Sequence, residues 1–217
     1  QICKINYKIN YTKFDLKIKN TSSRNRYIKN IFLNLIGEHN AANATAAIAL
    51  CLNLGLKIEI IKKALKNFSG VQRRLTKVFK KNRIEFYDDY AHHPTEIKTV
   101  LDGIKKVALD RKIVAIFQPH RYSRIKNLKK EFAKCFSNAD RVILCPVYAA
   151  GENIDLNYNA LNFAKIITKF SKVQVILIKE QFELNEYLKK NLIKDEIVIG
   201  MGAGSISNWI YSLKDIL

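Results

Sequence analysis

The stretch KIVAIFQPHRYSR, residues 112–124, places the apolar run Ile113 to Phe117 directly before polar and basic residues. A strand that is apolar at every position is buried on both faces, which is typical of a parallel sheet covered by helices. Further apolar strands alternate with helical periodicity from Gly70 to the end of the chain. The sequence therefore predicts an α/β fold, with a mostly parallel sheet and helices on both of its faces.

The predicted elements after Gly70 alternate between strand and helix. The strands are predicted at residues 84–87, 112–118, 141–147, 173–178 and 196–200. The helices are predicted at residues 95–109, 128–136, 159–170, 182–191 and 206–217. This order fits repeated strand–helix–strand units.

The first 36 residues read as β-structure, because apolar residues such as Ile5, Tyr7 and Ile9 alternate with polar ones. A polar turn is predicted from Thr21 to Arg26. Since the first residue is Gln1 rather than Met, and strand-like sequence follows at once, we expect the chain to begin inside a longer protein.

Helical periodicity follows, with an Ala-rich helix predicted at residues 41–54 and a second helix at residues 58–68. The second helix is predicted to stop at Ser69-Gly70, since glycine commonly ends helices. We place the domain boundary there, so that residues 1–69 form one domain and residues 70–217 another.

The chain carries 38 Lys and Arg against 19 Asp and Glu, a formal net charge of +19. This excess invites a nucleic-acid interpretation, but the lysines are spread along the whole chain and no zinc-finger, RRM or KH signature is present. Four cysteines match neither a metal motif nor a disulfide framework, which favours free thiols in a reducing cytoplasm. No apolar run reaches the length of a membrane span and no secretory signal is visible, so a cytoplasmic location is predicted.

Four of the predicted strands are followed directly by unusual polar or glycine-rich segments. These segments are Asp88 to Pro94, Pro119 to Arg124, Tyr148 to Glu152 and Gly200 to Ser205. In parallel sheets ligands bind at the carboxyl ends of the strands. We therefore expect the four segments to line one binding edge of the sheet.

All four histidines of the chain lie at the ends of predicted segments: His39, His92, His93 and His120. A zinc site is not predicted, because no acidic or cysteine ligand stands at a metal spacing and the adjacent His92 and His93 would point in different directions. Arg121 and Arg124 follow His120 and suit a phosphate or carboxylate, since a guanidinium donates two hydrogen bonds at once.

Two other motifs admit more than one interpretation. Asp88-Asp89 could accept hydrogen bonds from a ribose diol, or could belong to a solvated loop and the cap of the helix that Pro94 opens. The glycine-rich turn Gly200 to Gly204 could cradle a phosphate, but it falls short of the dinucleotide fingerprint, which favours a tight packing turn. Arg73-Arg74, at the boundary, could be a solvated linker or could meet phosphate.

Several segments resemble the Mur ligases. Gly37 to Asn43, before an Ala-rich helix, resembles their G-x-H-N-x-x-N segment, and Gly70 to Arg74 resembles their interdomain G-V-x-R-R. The segments that resemble the alanine-adding branch in particular are Asp88 to Glu96, Phe117 to Arg124 and Tyr148 to Glu152. They occur in family order and spacing from about residue 31 to the end of the chain.

The resemblance implies an ATP- and Mg²⁺-dependent ligase of peptidoglycan precursor synthesis, which joins L-alanine to UDP-N-acetylmuramate through an acyl phosphate. Residues 1–69 would be the end of its central α/β ATPase domain and residues 70–217 its Rossmann-like last domain. The family's phosphate loop, its magnesium ligands and its UDP-binding domain have no counterpart in this sequence and are expected upstream of Gln1. This chain alone is therefore expected not to catalyse the ligation.

By motif, the resemblance implies that six residues bind ATP at its adenine, phosphates or ribose. These residues are His39, Asn40, Asn43, Arg73, Arg74 and Asp89. Substrate binding at the reacting centre is assigned to Tyr90, His92, Arg121 and Arg124, and the last three are also the expected catalytic residues.

Two alternatives stay open at this point. A related ligase that recycles a murein tripeptide shares the Asp-Asp-x-x-His-His-Pro segment, although Pro119 to Arg124 favours the alanine-adding branch. A basic, non-enzymatic nucleic-acid-binding module rests on net charge alone, and predicts steeply salt-dependent binding to any duplex.

Overall fold

The computed structural model describes residues 1–9, 11–19 and 26–217, so most of the turn predicted from Thr21 to Arg26 lies outside the described residues. The chain divides into two compact units, Gln1–Gly70 and Val71–Leu217. This division lies next to the boundary predicted at residues 69 and 70. Each unit is described by itself.

The first unit is a three-stranded antiparallel sheet with two helices. Its elements are β1 (Ile2–Lys8), β2 (Tyr11–Ile18), β3 (Arg26–Leu33), α1 (Glu38–Asn53) and α2 (Ile58–Asn67). The strands pair in sequence order. Alternate residues of β2 and β3, such as Phe14 and Ile31, turn to one face and pack against α1, which contributes Ala41, Ala44 and Ile48 at helical spacing.

The second unit is a six-stranded sheet with helices between the strands. Its strands are β4 (Thr76–Lys81), β5 (Ile84–Asp89), β6 (Ile113–Phe117), β7 (Arg141–Leu144), β8 (Gln174–Leu177) and β9 (Ile197–Met201). Its helices are α3 (Pro94–Ala108), α4 (Tyr122–Asn127), α5 (Lys129–Phe132), α6 (Ala160–Ser171), α7 (Gln181–Asn191) and α8 (Ile206–Ile216).

The strand order is β4-β5-β9-β6-β7-β8, and every pairing is parallel except that of β4 with β5. The last strand of the chain, β9, thus lies between β5 and β6. The predicted fold class, a mostly parallel sheet flanked by helices, is confirmed.

The apolar run in β6 is buried on both faces of the sheet, as expected. Val114 and Ile116 face one side, in a cluster with residues of α7 and α8. Phe117 faces the other side and lies against the rings of Phe132 and Phe136, with centroid distances of 5.6 and 5.3 Å. Alternation along the strand therefore supplies the core of two separate helical layers.

Two elements differ from the predictions. β4 was not predicted, because its sequence TKVFKK is mostly polar and it forms an edge strand. The helix predicted at residues 128–136 is shortened to α5, which follows the unpredicted α4, and the helical path breaks between them at Leu128, where φ is −116°. All four cysteines are free, and Cys135 and Cys145 are buried.

Buried ion pairs hold the amino ends of the central strands. Glu85, 6% exposed, accepts hydrogen bonds from Lys77 at 2.6 Å and Arg111 at 2.9 Å. Glu196, 2% exposed, pairs with Arg141 at 2.6 Å. We call these contacts the amino-end ion pairs.

None of the helices found among residues 1–9, 11–19 and 26–217 has the length and apolar character that crossing a bilayer requires.

Candidate functional site

The carboxyl ends of β5, β9, β6 and β7 lie side by side, because these strands are parallel neighbours in the sheet. The segments that follow them therefore share one edge of the second unit. These are the segments that the sequence predicted to form a binding edge. The strand order brings the loop after β9 between the loops after β5 and β6.

Four aromatic rings from three of these loops form a continuous row, which we call the ring row: Tyr90, His92, His120 and Tyr148. Their centroids are 5.2 Å apart from Tyr90 to His92, 5.6 Å from His92 to His120, and 5.4 Å from His120 to Tyr148. Tyr90 and Tyr148 are 38% and 42% exposed, so the row is open to a ligand. The loops after β5, β6 and β7 meet at this row.

His120 is fixed in one protonation state by its neighbour Arg124. The Nη1 of Arg124 lies 3.1 Å from His120 Nδ1, and it also donates to the His120 carbonyl at 3.0 Å. Because a guanidinium can only donate, Nδ1 must accept, and the proton of the neutral ring lies on Nε2. Burial, followed by the charge of Arg124, lowers the pKa of His120, which favours the neutral ring.

The two adjacent histidines have separate tasks, as their predicted divergence implies. His92 belongs to the ring row, and its Nδ1 lies 2.9 Å from the Tyr90 carbonyl oxygen. His93 caps α3, where its Nδ1 accepts from the Thr95 N–H at 3.3 Å. Glu96 completes the cap, since its carboxylate accepts from the N–H groups of His92 and His93.

Asp88 and Asp89 are 0% and 2% exposed, so the interpretation of a solvated loop is wrong for both. The oxygens of Asp89 accept from the N–H groups of Leu75 and Ala91, each at 2.7 Å. Burial raises the pKa of Asp89 to about 6 in spite of these hydrogen bonds. A ribose contact was predicted for Asp89. In the structure, its carboxylate is closed to solvent and accepts hydrogen bonds from the backbone instead.

Arg73 and Arg74 have different surroundings. Arg73 donates through Nη2 to the Gly202 carbonyl at 2.5 Å, and its Nε lies 3.4 Å from Asp88. Arg74 is exposed, and its charge acts on Asp89 and on Glu96. The predicted phosphate contact is compatible with the position of Arg74, whereas the guanidinium of Arg73 is directed into the protein.

Backbone hydrogen bonds hold the loops after β6 and β7 together and present Arg121. The Tyr148 N–H donates to Pro119 at 2.8 Å, and the Arg121 N–H donates to Tyr148 at 2.9 Å. Arg121 has a φ of +70°, and it is exposed to solvent. Glu152 holds the start of α4, because its carboxylate accepts from both the N–H and the hydroxyl of Ser123.

The glycine-rich turn after β9 packs against these loops. A Cβ added at Gly204 would lie 2.5 Å from Gln118 Oε1 and 2.5 Å from the ring of Tyr148. Gln118, only 3% exposed, accepts from the Ile206 N–H and donates to Ser205. The structure thus agrees with the prediction of a packing turn.

The remaining predicted residues lie in the first unit, at the start of α1. Gly37, with a φ of +105°, precedes the helix, and a Cβ there would meet the His39 ring at 2.7 Å. Asn40 donates to the Ile36 carbonyl at 2.8 Å, and Asn43 is exposed one turn later on the same side. Adenine contacts by His39, Asn40 and Asn43 stay predictions.

Sequence reasoning named Tyr90, His92, Arg121 and Arg124, and these residues gather at one edge. It did not assign a site role to His120, Tyr148 or Glu152. The signal available for His120 and Tyr148 was their position directly after buried strands. Within the described ranges, no group of three or more His, Cys, Asp or Glu residues could hold a metal ion.

Comparison with known proteins gives a consistent result. A family model described as "Mur ligase, glutamate ligase domain" matches residues 73–204. A UDP-N-acetylmuramate–L-alanine ligase of Pelagibacter ubique is 48% identical over 95% of this chain, and one of Bartonella tribocorum is 40% identical over 93%. The crystal structure of a UDP-N-acetylmuramate-alanine ligase from Thermotoga maritima covers 99% of this chain with a TM-score of 0.79 and 26% identity.

This chain is shorter than the proteins that it resembles. It covers 45% of the Pelagibacter protein, 42% of the Bartonella protein and 44% of the Thermotoga chain. A murein peptide ligase from Psychrobacter arcticus has a TM-score of 0.64 at 23% identity, which establishes a shared fold alone.

Proposed function

The chain belongs to the Mur ligase family, and from this premise we propose that it is the carboxyl-terminal part of an ATP-dependent ligase that joins L-alanine to UDP-N-acetylmuramate. Residues 71–217 are its last domain, and residues 1–70 are the end of its central ATP-binding domain. The observation that carries the proposal is the convergence of the ring row with Arg121 and Arg124 at the carboxyl edge of the sheet.

The proposed reaction has two steps. The terminal phosphoryl group of ATP passes to the muramate carboxylate, which gives an acyl phosphate and ADP. The L-alanine nitrogen then attacks the acyl carbon, the carbon–oxygen bond to phosphate breaks, and the amine loses a proton. Negative charge therefore accumulates at the acyl group, and donors placed beforehand stabilise it without reorganisation.

The residues of the edge suit this demand for fixed donors. Arg121 is exposed and available for the carboxylate of L-alanine or for a phosphoryl oxygen. The His120 ring presents an N–H at Nε2, because Arg124 holds its other nitrogen. The rings of Tyr90 and His92 lie beside the His120 ring and form the surface that the amino acid contacts. These residues bind and orient the reactants and exclude water from an intermediate that hydrolyses readily.

The resemblance to the family supports the proposed contacts with ATP. Arg74 is the proposed phosphate contact, since its side chain is exposed. Asn40 and Asn43 are the proposed adenine contacts, because their amides offer a donor and an acceptor, and His39 is proposed to help shape that pocket. Magnesium, when bound, would neutralise negative charge on the phosphate groups.

The test is an assay of the full-length ligase that carries this chain. Phosphate release is measured with UDP-N-acetylmuramate and ATP, with either L-alanine or murein tripeptide as the acceptor. We expect turnover with L-alanine and little with the tripeptide. Turnover with the tripeptide but not with L-alanine would place the chain in the branch that recycles murein tripeptide. Absence of turnover with both acceptors would reject the proposal.

A further inference from the structure

We propose that Arg73 is a positioning residue: its guanidinium holds the Tyr90 ring against the amino-acid side of the site, and buried Asp88 holds the guanidinium. The inference rests on the proposed ligase function and deepens it. It assigns Arg73 to the acceptor substrate rather than to ATP, although its sequence neighbour Arg74 is proposed to meet phosphate.

Arg73 connects two of the loops that form the edge. Its Nη2 donates to the carbonyl of Gly202 in the turn after β9. Its guanidinium carbon lies 4.8 Å from the centroid of the Tyr90 ring, in the loop after β5. Its own carbonyl accepts from the Tyr90 N–H at 2.7 Å. Arg73 thus fixes both the backbone and the ring of Tyr90.

The fully buried carboxylate of Asp88 forms an ion pair with the guanidinium of Arg73. The carboxylate is 0% exposed, and its Oδ2 accepts from the Ser207 hydroxyl at 2.6 Å and lies 3.4 Å from Arg73 Nε. Neither Arg73 Nε nor Asp88 Oδ1 has a hydrogen-bond partner among the residues that the structure describes. A buried carboxylate without a cation is strongly disfavoured, so Asp88 requires the positive charge in this place.

The backbone of Arg73 supports the same assignment. Its φ is +60°, a left-handed conformation that costs free energy for a residue with a Cβ and persists where the surroundings enforce it. The surroundings here are the hydrogen bond to Tyr90 and the contact with Asp88. This turn sends Arg73 inward and leaves Arg74 exposed.

The consequence for the site concerns the orientation of Tyr90. The Arg73 cation covers the ring of Tyr90, and the ring of His92 meets it at 90° and 5.2 Å. A cation over an aromatic face favours one ring position over its alternatives. Tyr90 therefore offers a fixed surface beside His92 and His120, where the amino acid is proposed to lie.

The experiment compares Arg73→Lys and Asp88→Asn with Arg74→Ala in the full-length ligase. KM for L-alanine and KM for ATP are measured separately at saturating levels of the other substrates. Lysine keeps the charge but loses the planar fork that reaches Gly202 and Tyr90 together. For Arg73→Lys and Asp88→Asn we expect KM for L-alanine to rise on the order of tenfold, with KM for ATP within about twofold of its original value. Arg74→Ala should show the reverse pattern.

A rise of KM for ATP in Arg73→Lys as large as that in Arg74→Ala would overturn the proposal, and so would unchanged KM values in all Arg73 and Asp88 variants. A second readout does not depend on turnover. In the 217-residue chain labelled with 3-fluorotyrosine, the Tyr90 resonance is assigned through Tyr90→Phe, and it should shift in Arg73→Lys but not in Arg74→Lys.

The two readouts separate this proposal from the function on which it rests. A ligase that does not use L-alanine rejects the function, while a Tyr90 resonance that responds to Arg73→Lys still supports the positioning role. A Tyr90 resonance unaffected by Arg73→Lys rejects the positioning role in either case.

Discussion

The two ends of the parallel sheet in the second unit both carry buried carboxylates, but these carboxylates have very different partners. At the amino end, Glu85 and Glu196 pair with guanidinium or ammonium groups at 2.6 to 2.9 Å. At the carboxyl end, within the described part of the chain, Asp88 has an oxygen without a hydrogen-bond partner, and the carboxylate of Asp89 accepts from backbone N–H groups.

Burial raises the pKa of Asp88 and of Asp89. Burial also acts on Glu85, but hydrogen bonds from Lys77 and Arg111 lower its pKa to about 2. A buried carboxylate therefore does not by itself indicate a functional site. Complete pairing indicates a structural role, and incomplete pairing beside exposed rings and cations indicates a functional edge.

The largest expected effect is a loss of stability at the amino end. Arg141→Ala leaves Glu196, 2% exposed, without its cation, and should lower the free energy of unfolding of the 217-residue chain by about 3–5 kcal/mol. Urea unfolding followed by the fluorescence of Trp209, the one Trp of the chain, reports on the second unit.

The matched control for Arg141 is Lys112→Ala, which removes an exposed pair with Asp140. We expect it to change the free energy of unfolding by less than about 1 kcal/mol. Equal losses in the two variants would contradict the structural importance of the amino-end ion pairs.

The next effect is a loss of turnover at the carboxyl end. His92→Ala in the full-length ligase removes the ring between Tyr90 and His120 and should lower kcat by about 100-fold. Its melting temperature should change by less than about 2 °C, because the His92 side chain is partly exposed. If stability fell in proportion to kcat, His92 would belong with the structural residues.

A smaller effect is expected from Gly204→Ala, which adds a methyl group to the turn after β9. The new Cβ would meet the Tyr148 ring at 2.5 Å, so the ring or the turn has to move, with a loss of roughly 1–3 kcal/mol in stability. Gly151→Ala, where a Cβ meets nothing within 4 Å, is the control for space, although its φ of +88° adds strain. A smaller loss in Gly204→Ala than in Gly151→Ala would show that the turn has room.

The smallest net effect on the free energy of unfolding is expected between strongly acidic and neutral pH. The carboxylates at the two ends of the sheet change the stability in opposite directions over that range. Glu85 has its folded pKa near 2, below the ordinary 4.5, so its stabilisation is present above pH 4.5 and is lost as pH falls towards 2. Asp89 has its folded pKa near 6, above the ordinary 3.8, so its contribution is most favourable below pH 3.8 and is lost as pH rises through 6.

These two groups together predict a maximum of stability near pH ~4 in Trp209-detected urea unfolding. Glu85→Gln should reduce the acid-side rise, and Asp89→Asn should reduce the decline above it, to which Asp88 also contributes because burial raises its pKa. An unchanged decline in Asp89→Asn would contradict the raised pKa of Asp89.

Much of the second unit could be predicted because its strands are apolar runs with strong local signals. The run Ile113 to Phe117 indicates burial on both faces, and the polar residues after it indicate the edge where the candidate site lies. β4 and α4 were missed because a polar edge strand and a six-residue helix after Arg121 carry little local pattern.

The inward direction of Arg73 could not be predicted from the sequence. Its hydrogen-bond partner Gly202 is 129 positions away, and the contact depends on where β9 enters the sheet. The neutral state of His120 likewise depends on the geometry of Arg124 in space rather than on spacing alone. Such features arise from tertiary structure, whereas apolar periodicity is local.

The position of β9 has a consequence for the synthesis of the protein on the ribosome. This strand, Ile197–Met201, is the last in the chain but lies between β5 and β6, which are made much earlier. Until it emerges, a nascent chain has neither the Gly202 carbonyl for Arg73 nor the middle of the sheet. Shortening the protein by this strand and the helix after it would therefore disrupt the edge where the candidate site lies, even though Tyr90, His92 and Arg121 would all still be encoded.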